Sequence, residues 1–178
     1  MPMKVKKFKL EAIKVKSLLD KGVFKMSTNF VSDSELLRER NRIMKLANGV
    51  FMTVKTGEKI QIIQEGEADC LAFSNLCKGD NLLVVDERTT RMLFEAPKEL
   101  KELMERKLHS NLDANFNLIL NLGNYKFIRS AELVFIAYKK GLVGLGEGKD
   151  VLDALLYGLK FKGTTISSKE IDILKGMV

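Results

Sequence analysis

Tryptophan is absent from this chain of 178 residues, which also has a single histidine, His109, and only two cysteines, Cys70 and Cys77. So little histidine and cysteine leaves no raw material for a Ser-His-Asp triad or a typical zinc cage. Seven residues apart on a predicted helix, the cysteines would share the side of Phe73 rather than bridge each other, so they are read as core packing. The remaining aromatics, rich in Phe, show no stacking platform of the RNA-recognition-motif kind. No stretch approaches the ~18 uninterrupted apolar residues that cross a bilayer. The lysine-rich start also lacks the apolar run and cleavage site of a secretory leader, so a soluble, cytoplasmic protein is expected.

Positive charge is plentiful: 30 Lys and Arg against 23 Asp and Glu give +7. A basic balance favours contact with a polyanion, because clustered cations release counterions on phosphate. The densest cluster, Lys4, Lys6, Lys7 and Lys9, continues through Lys14, Lys16 and Lys21, and it reads equally as a solvated helix face. With 46% hydrophobic residues the chain can bury a core, and its length favours one domain over residues 1–178.

Periodicity predicts a helix from about Leu10 stopping at Gly22, then a short strand, "VFKM". "SDSELLRERNRIMKLANG" is a helix opened by a Ser32–Glu35 capping box and closed by Asn48-Gly49. "VFMTVKTGEKIQII" predicts a hairpin about Thr-Gly. A helix from Glu65 to Leu76 leads to "NLLVVD", a continuous apolar run of the kind found in buried parallel strands. Helix followed by parallel strand is an α/β signature. Pro97 opens a helical insertion, about residues 95–125, whose Leu and Met stripe predicts a cover or a homodimer face. "KFI" then predicts a strand, Ser130 an N-cap, and Gly141 the end of the next helix. The loop "GLVGLGEGKD" follows a helix, so its glycines lack the strand-turn-helix context of a phosphate cradle. One more amphipathic helix and a Ser167–Glu170 capping box complete the chain.

Glu65, Glu67 and Asp69 sit in the first turn of one predicted helix, and Asp86 ends the apolar strand. Ligands of parallel α/β sheets bind beyond the carboxyl ends of the strands, where Asp86 projects. Carboxylates held together repel unless a hard divalent cation such as Mg²⁺ or Mn²⁺ neutralises them, and such an ion activates water against a scissile phosphate. Alternatively, the first-turn acids complement the helix dipole, at about 0.3–1 kcal/mol each.

"GEADCLAF…LLVVDERTTR" resembles the pattern of PIN-like domains in the toxin-related nuclease group: Gly-Glu-x-Glu/Asp, then an apolar strand ending in Asp-Asp-x-x-x-Arg. "IRSAELVFIAYKKGLV" and "LDALLYGLKFKGTTISSKEI" are similar to that group's closing helices. The resemblance covers roughly Ile60 onward. It implies a three-layer α/β/α sandwich with a short, mainly parallel sheet. It also implies Mg²⁺- or Mn²⁺-dependent RNA cleavage, with Asp69 and Asp86 as metal ligands and Glu67 and Glu35 assisting. Glu87 stands where the subgroup often has a second Asp. Arg88 and Arg91 would hold substrate phosphate, or pair with Glu87 and Glu95 on an exposed turn; Lys6 and Lys7 would add RNA contacts. The hydrophobic strand ending in Asp-Thr or Asp-Ser that opens the family is not found ahead of Glu35. Two functions follow: a metal-dependent ribonuclease, or a catalytically silent module that binds RNA or a protein partner. A homodimer and a protein inhibitor are further partners to expect.

Overall fold

The computed structural model describes residues 9–77, 79–146 and 148–178; Lys4, Lys6 and Lys7 therefore lie outside the described residues. The chain is α/β and mainly helical. Helix α1 (Lys9–Asp20) ends at Gly22, whose φ of 70° suits glycine. The predicted "VFKM" strand does not form: among the described residues Val23 to Met26 have no ladder partner, and they run into a 3-10 turn at Ser27–Asn29. Helix α2 (Asp33–Ala47) starts on the predicted capping box, with Ser32 Oγ accepting from the Glu35 amide and the Glu35 carboxylate accepting from the Ser32 amide. Its stripe buries Ile43 and Ala47 against helix α3 (Glu65–Leu76), which contributes Ala68, Leu71 and Ala72.

Between them, strand β1 (Phe51–Thr53) turns at Gly57, and the expected hairpin is reduced to a single antiparallel bridge, Met52 to Lys59. Its main partner is a strand not anticipated, β3 (Leu112–Ala114), paired antiparallel with Phe51 opposite Ala114. Asn48 ties the returning chain to α2. Its Oδ1 accepts from the amides of Ile62 and Ile63 at 2.7 and 3.0 Å.

Strand β2 (Leu82–Val84) pairs with strand β4 (Lys126–Ile128) in parallel, as the α/β pattern anticipates. The two pairs are separate sheets. β2 is less covered than its apolar sequence suggests: Leu82 and Val84 are exposed and only Leu83 packs inward. Beyond β2 the chain enters helix α4 (Arg88–Glu95), where an exposed turn was expected, because Glu87 caps it by accepting from the Thr90 amide. Helix α5 (Pro97–Leu108) follows directly, with Leu100 fully buried.

A short helix, α6 (Asn117–Leu120), and a tight turn precede β4. In that turn Asn75, Tyr125 and Arg42 all donate to backbone carbonyls of Asn121 or Leu122, at 2.6–2.8 Å for the closest contact of each. Gly123, at φ 136°, has the Asn75 side chain where a Cβ would stand. One core gathers these elements around Ile43, Phe51, Leu71, Leu93, Leu100 and Leu122.

A second core joins helices α7 (Ser130–Lys139), α8 (Lys149–Phe161) and α9 (Ser168–Gly176) through Ala131, Tyr138, Leu152, Leu156, Ile166 and Ile171. The Tyr138 hydroxyl closes the glycine-rich loop by donating to the Gly148 carbonyl and accepting from its amide, at 3.0 and 2.8 Å. Helix α9 begins on the anticipated Ser167–Glu170 box. Cys70 is exposed and Cys77 only half-buried, which corrects the core-packing reading; the helix turns Ala68, Leu71 and Ala72 inward instead. Among the described residues no helix is long and apolar enough to cross a membrane.

Candidate functional site

The two cores meet at the carboxyl ends of β2 and β4. The last ladder bond runs from the Val85 amide to the Ile128 carbonyl, so Asp86 and Arg129 emerge side by side. Asp86 turns both carboxylate oxygens to the start of α7: Oδ1 accepts from the Ser130 amide at 2.9 Å and Oδ2 from the Ser130 hydroxyl at 2.7 Å. The Ser130 hydroxyl therefore contacts Asp86 rather than capping its own helix, and the N-cap position falls one residue earlier, on Arg129. Thr165 donates to the Asp86 carbonyl at 2.8 Å, so the loop before α9 is fixed to the same point.

Arg129 sits between two carboxylates. Its guanidinium reaches Glu132 at 2.7 Å and Glu170 at 2.6 Å, and its amide donates to Glu132 at 2.8 Å. Glu170 also accepts from the Ser167 amide and hydroxyl, both at 2.8 Å. The Ser167 amide, with Arg129 next, holds this carboxyl down at about 2, against an ordinary 4.5.

Three cavities adjoin α4, the third, of about 380 Å³, being lined by Arg91 and Arg129 with Glu95, Glu132 and Glu170. The first, of about 590 Å³, is lined by Arg88, Arg91, Arg129 and Lys160 with Thr164, Thr165, Ser167 and Glu170. Among the described residues, exposed Arg88 has no carboxylate partner, and Arg91 holds Glu95 at a loose 3.8 Å while its buried Nε has no acceptor. The second cavity, of about 230 Å³, brings Glu67 and Glu87 together with Gln64, Thr89, Thr90 and Lys107. Thr90 is fully buried, and its hydroxyl has no hydrogen-bond partner among the described residues. Burial pushes the Glu87 carboxyl up, but hydrogen bonds from the backbone amides of Thr90 and Thr89 leave it below its ordinary value.

The predicted acids thus have different surroundings. Glu35 is exposed, bonded to its own N-cap Ser32 at 2.5 Å, and those bonds lower its carboxyl. Asp69 faces Arg40 of α2 at 3.7 Å, and Glu65 meets the same arginine at 3.9 Å. Glu67 accepts from the Gln64 amide at 3.1 Å. Among the described residues no three Asp, Glu, His or Cys side chains are grouped to hold a metal ion. With Asp86 committed to Ser130 and Asp69 beside Arg40, this donor set does not fit the shared Mg²⁺ or Mn²⁺ that the resemblance implies, and no chemical step is derived through one.

Asp69 and Asp86 have separate partners, whereas the basic residues share a cavity. Arg88 and Arg91 do line one cavity, joined by Arg129 and Lys160, which sequence reasoning missed. A signal for them was available in the hydroxyl-rich "GTTISS" segment, which brings Thr164 and Thr165 back to the strand ends. Comparison with protein-family models, with curated proteins and with solved structures yields no match.

Proposed function

We propose that this chain is a PIN-like module, on the three-layer α/β/α plan of that family, that binds RNA without cutting it. The observation that carries the reading is a contrast at one end of the β2–β4 pair. The acids that would share a metal are each committed to other partners, while four cations and one carboxylate, Glu170, line one cavity. Counterion release from phosphate then drives binding, assisted by the +7 net charge. The resemblance in "GEADCLAF…LLVVDERTTR" supplies RNA as the polyanion.

The test is binding of unstructured RNA across a salt series, with a parallel incubation in Mn²⁺. Affinity is expected to fall linearly on a log–log plot, by about 0.7 for each phosphate neutralised, while the RNA stays intact and Mn²⁺ leaves the melting temperature unchanged. Cleavage in Mn²⁺ that Asp86→Asn abolishes would replace this reading with the metal-dependent ribonuclease.

A further inference from the structure

We propose that the cavity between α4 and the start of α9 is a binding site for a phosphate monoester. The inference rests on the RNA-binding reading only for one of its two ligand sources, the 5′-phosphorylated end of an RNA strand; the other is a free phosphate.

Three features point to a phosphate group. The first is the balance of charge on the walls. Arg129 is already offset by Glu132 and Glu170, whereas Arg88 and Lys160 contact no carboxylate among the described residues, which leaves two uncompensated cations for a dianion. Lys160 is nonetheless held in place, donating to Ser168 Oγ at 2.7 Å and lying 5.4 Å from the Tyr157 ring centre.

The second is a loosely held third cation. Arg91 lines the cavity, and its ion pair with Glu95 is long, at 3.8 Å. Its guanidinium can therefore add charge-assisted hydrogen bonds to an anionic oxygen. The third is what the walls lack. No aromatic ring lines the cavity among the described residues, so a base has nothing to stack on and the group itself is what is recognised.

A monoester fits better than a diester. It carries close to two negative charges near neutral pH and presents three terminal oxygens, whereas an internal phosphodiester carries one charge and must thread a chain on both sides. The Glu170 carboxylate stands on the same wall, but it is turned onto Arg129 and the Ser167 hydroxyl.

The experiment titrates inorganic phosphate into the full chain and into an Arg88→Ala, Lys160→Ala double variant, read by ³¹P NMR and calorimetry at low salt. Circular dichroism checks that the variant is folded; should it fail, the milder Arg88→Gln alone replaces it. Saturable binding weakened about tenfold or more by the loss of a charged contact is expected. No binding, or equal binding in the variant, overturns the proposal. A second arm compares 5′-phosphorylated with 5′-hydroxyl oligoribonucleotides. Preference for the phosphorylated strand, lost in the variant, assigns the site to RNA ends. Equal binding of both strands, with inorganic phosphate still lost in the variant, assigns it to free phosphate. If neither strand binds but phosphate does, the RNA-binding reading fails while this site stands.

Discussion

Asp86 accepts hydrogen bonds from both the amide and the hydroxyl of Ser130, across 44 residues of sequence. The carboxylate thereby caps a helix that belongs to the other core. Replacing Asp86 with Ala leaves the α7 amide and the hydroxyl without their acceptor, at a cost of about 1–2 kcal/mol. Asp86→Asn costs a similar amount, because its amide nitrogen must face one of two donors. Denaturant midpoints of the two variants check this; unchanged midpoints would mean that the contact is not holding the cores together.

Glu170 connects stability to acid. Its carboxyl is held at about 2 in the fold against 4.5 ordinarily, by the Ser167 amide and Arg129. A depressed carboxyl contributes stability that is complete above the unfolded value and is lost as pH falls from about 4.5 to about 2. The side chain is 39% exposed, so water screens the pair and the contribution is about 1 kcal/mol, well below what the shift alone implies. Glu170→Gln should therefore lower the melting temperature at pH 7 and match the parent near pH 2.

Tyr125 connects stability to alkali. Burial pushes its hydroxyl up to about 12 from 10. The unfolded chain therefore ionises first, and stability falls as pH rises from about 10 towards 12. Tyr125→Phe should flatten that limb while losing the bond to the Leu122 carbonyl, a penalty of about 1 kcal/mol at pH 7. Melting curves between neutral and alkaline pH check both parts.

Gly123 and Gly163 separate two kinds of strain. Both have positive φ, 136° and 102°, but an added Cβ meets Asn75 Oδ1 at 2.5 Å at Gly123 and open space at Gly163. Gly163→Ala should cost only backbone strain, of about 1 kcal/mol, and Gly123→Ala about 1–3 kcal/mol. The difference is expected to narrow in an Asn75→Ala background, and equal costs would rule out the clash.

Much of this architecture is legible in local chemistry. The Ser32–Glu35 and Ser167–Glu170 boxes, the Asn48-Gly49 stop and the Pro97 start are written in residues a few positions apart, and the helices begin and end there. Strand β3 is not legible, because Leu112 to Ala114 have no pattern of their own and are made a strand by Phe51 to Thr53 on another part of the chain. The same holds for the site. Arg88 and Arg91 could be named from the sequence, but Arg129 joins them only through the pairing of β2 with β4, and Lys160 only through the turn at Thr164 and Thr165. An acid's neighbours decide its role, and neither Arg40 beside Asp69 nor Ser130 beside Asp86 is visible at a distance of 29 or 44 residues.

Helix α1 places no side chain in either core, and Val23, Phe24 and Met26 after it are also exposed. Beyond them, Phe30 meets the edge of Phe73, with ring centres 6.0 Å apart. Trypsin at Lys21 or Lys25 would therefore detach this arm and leave the remainder melting as before.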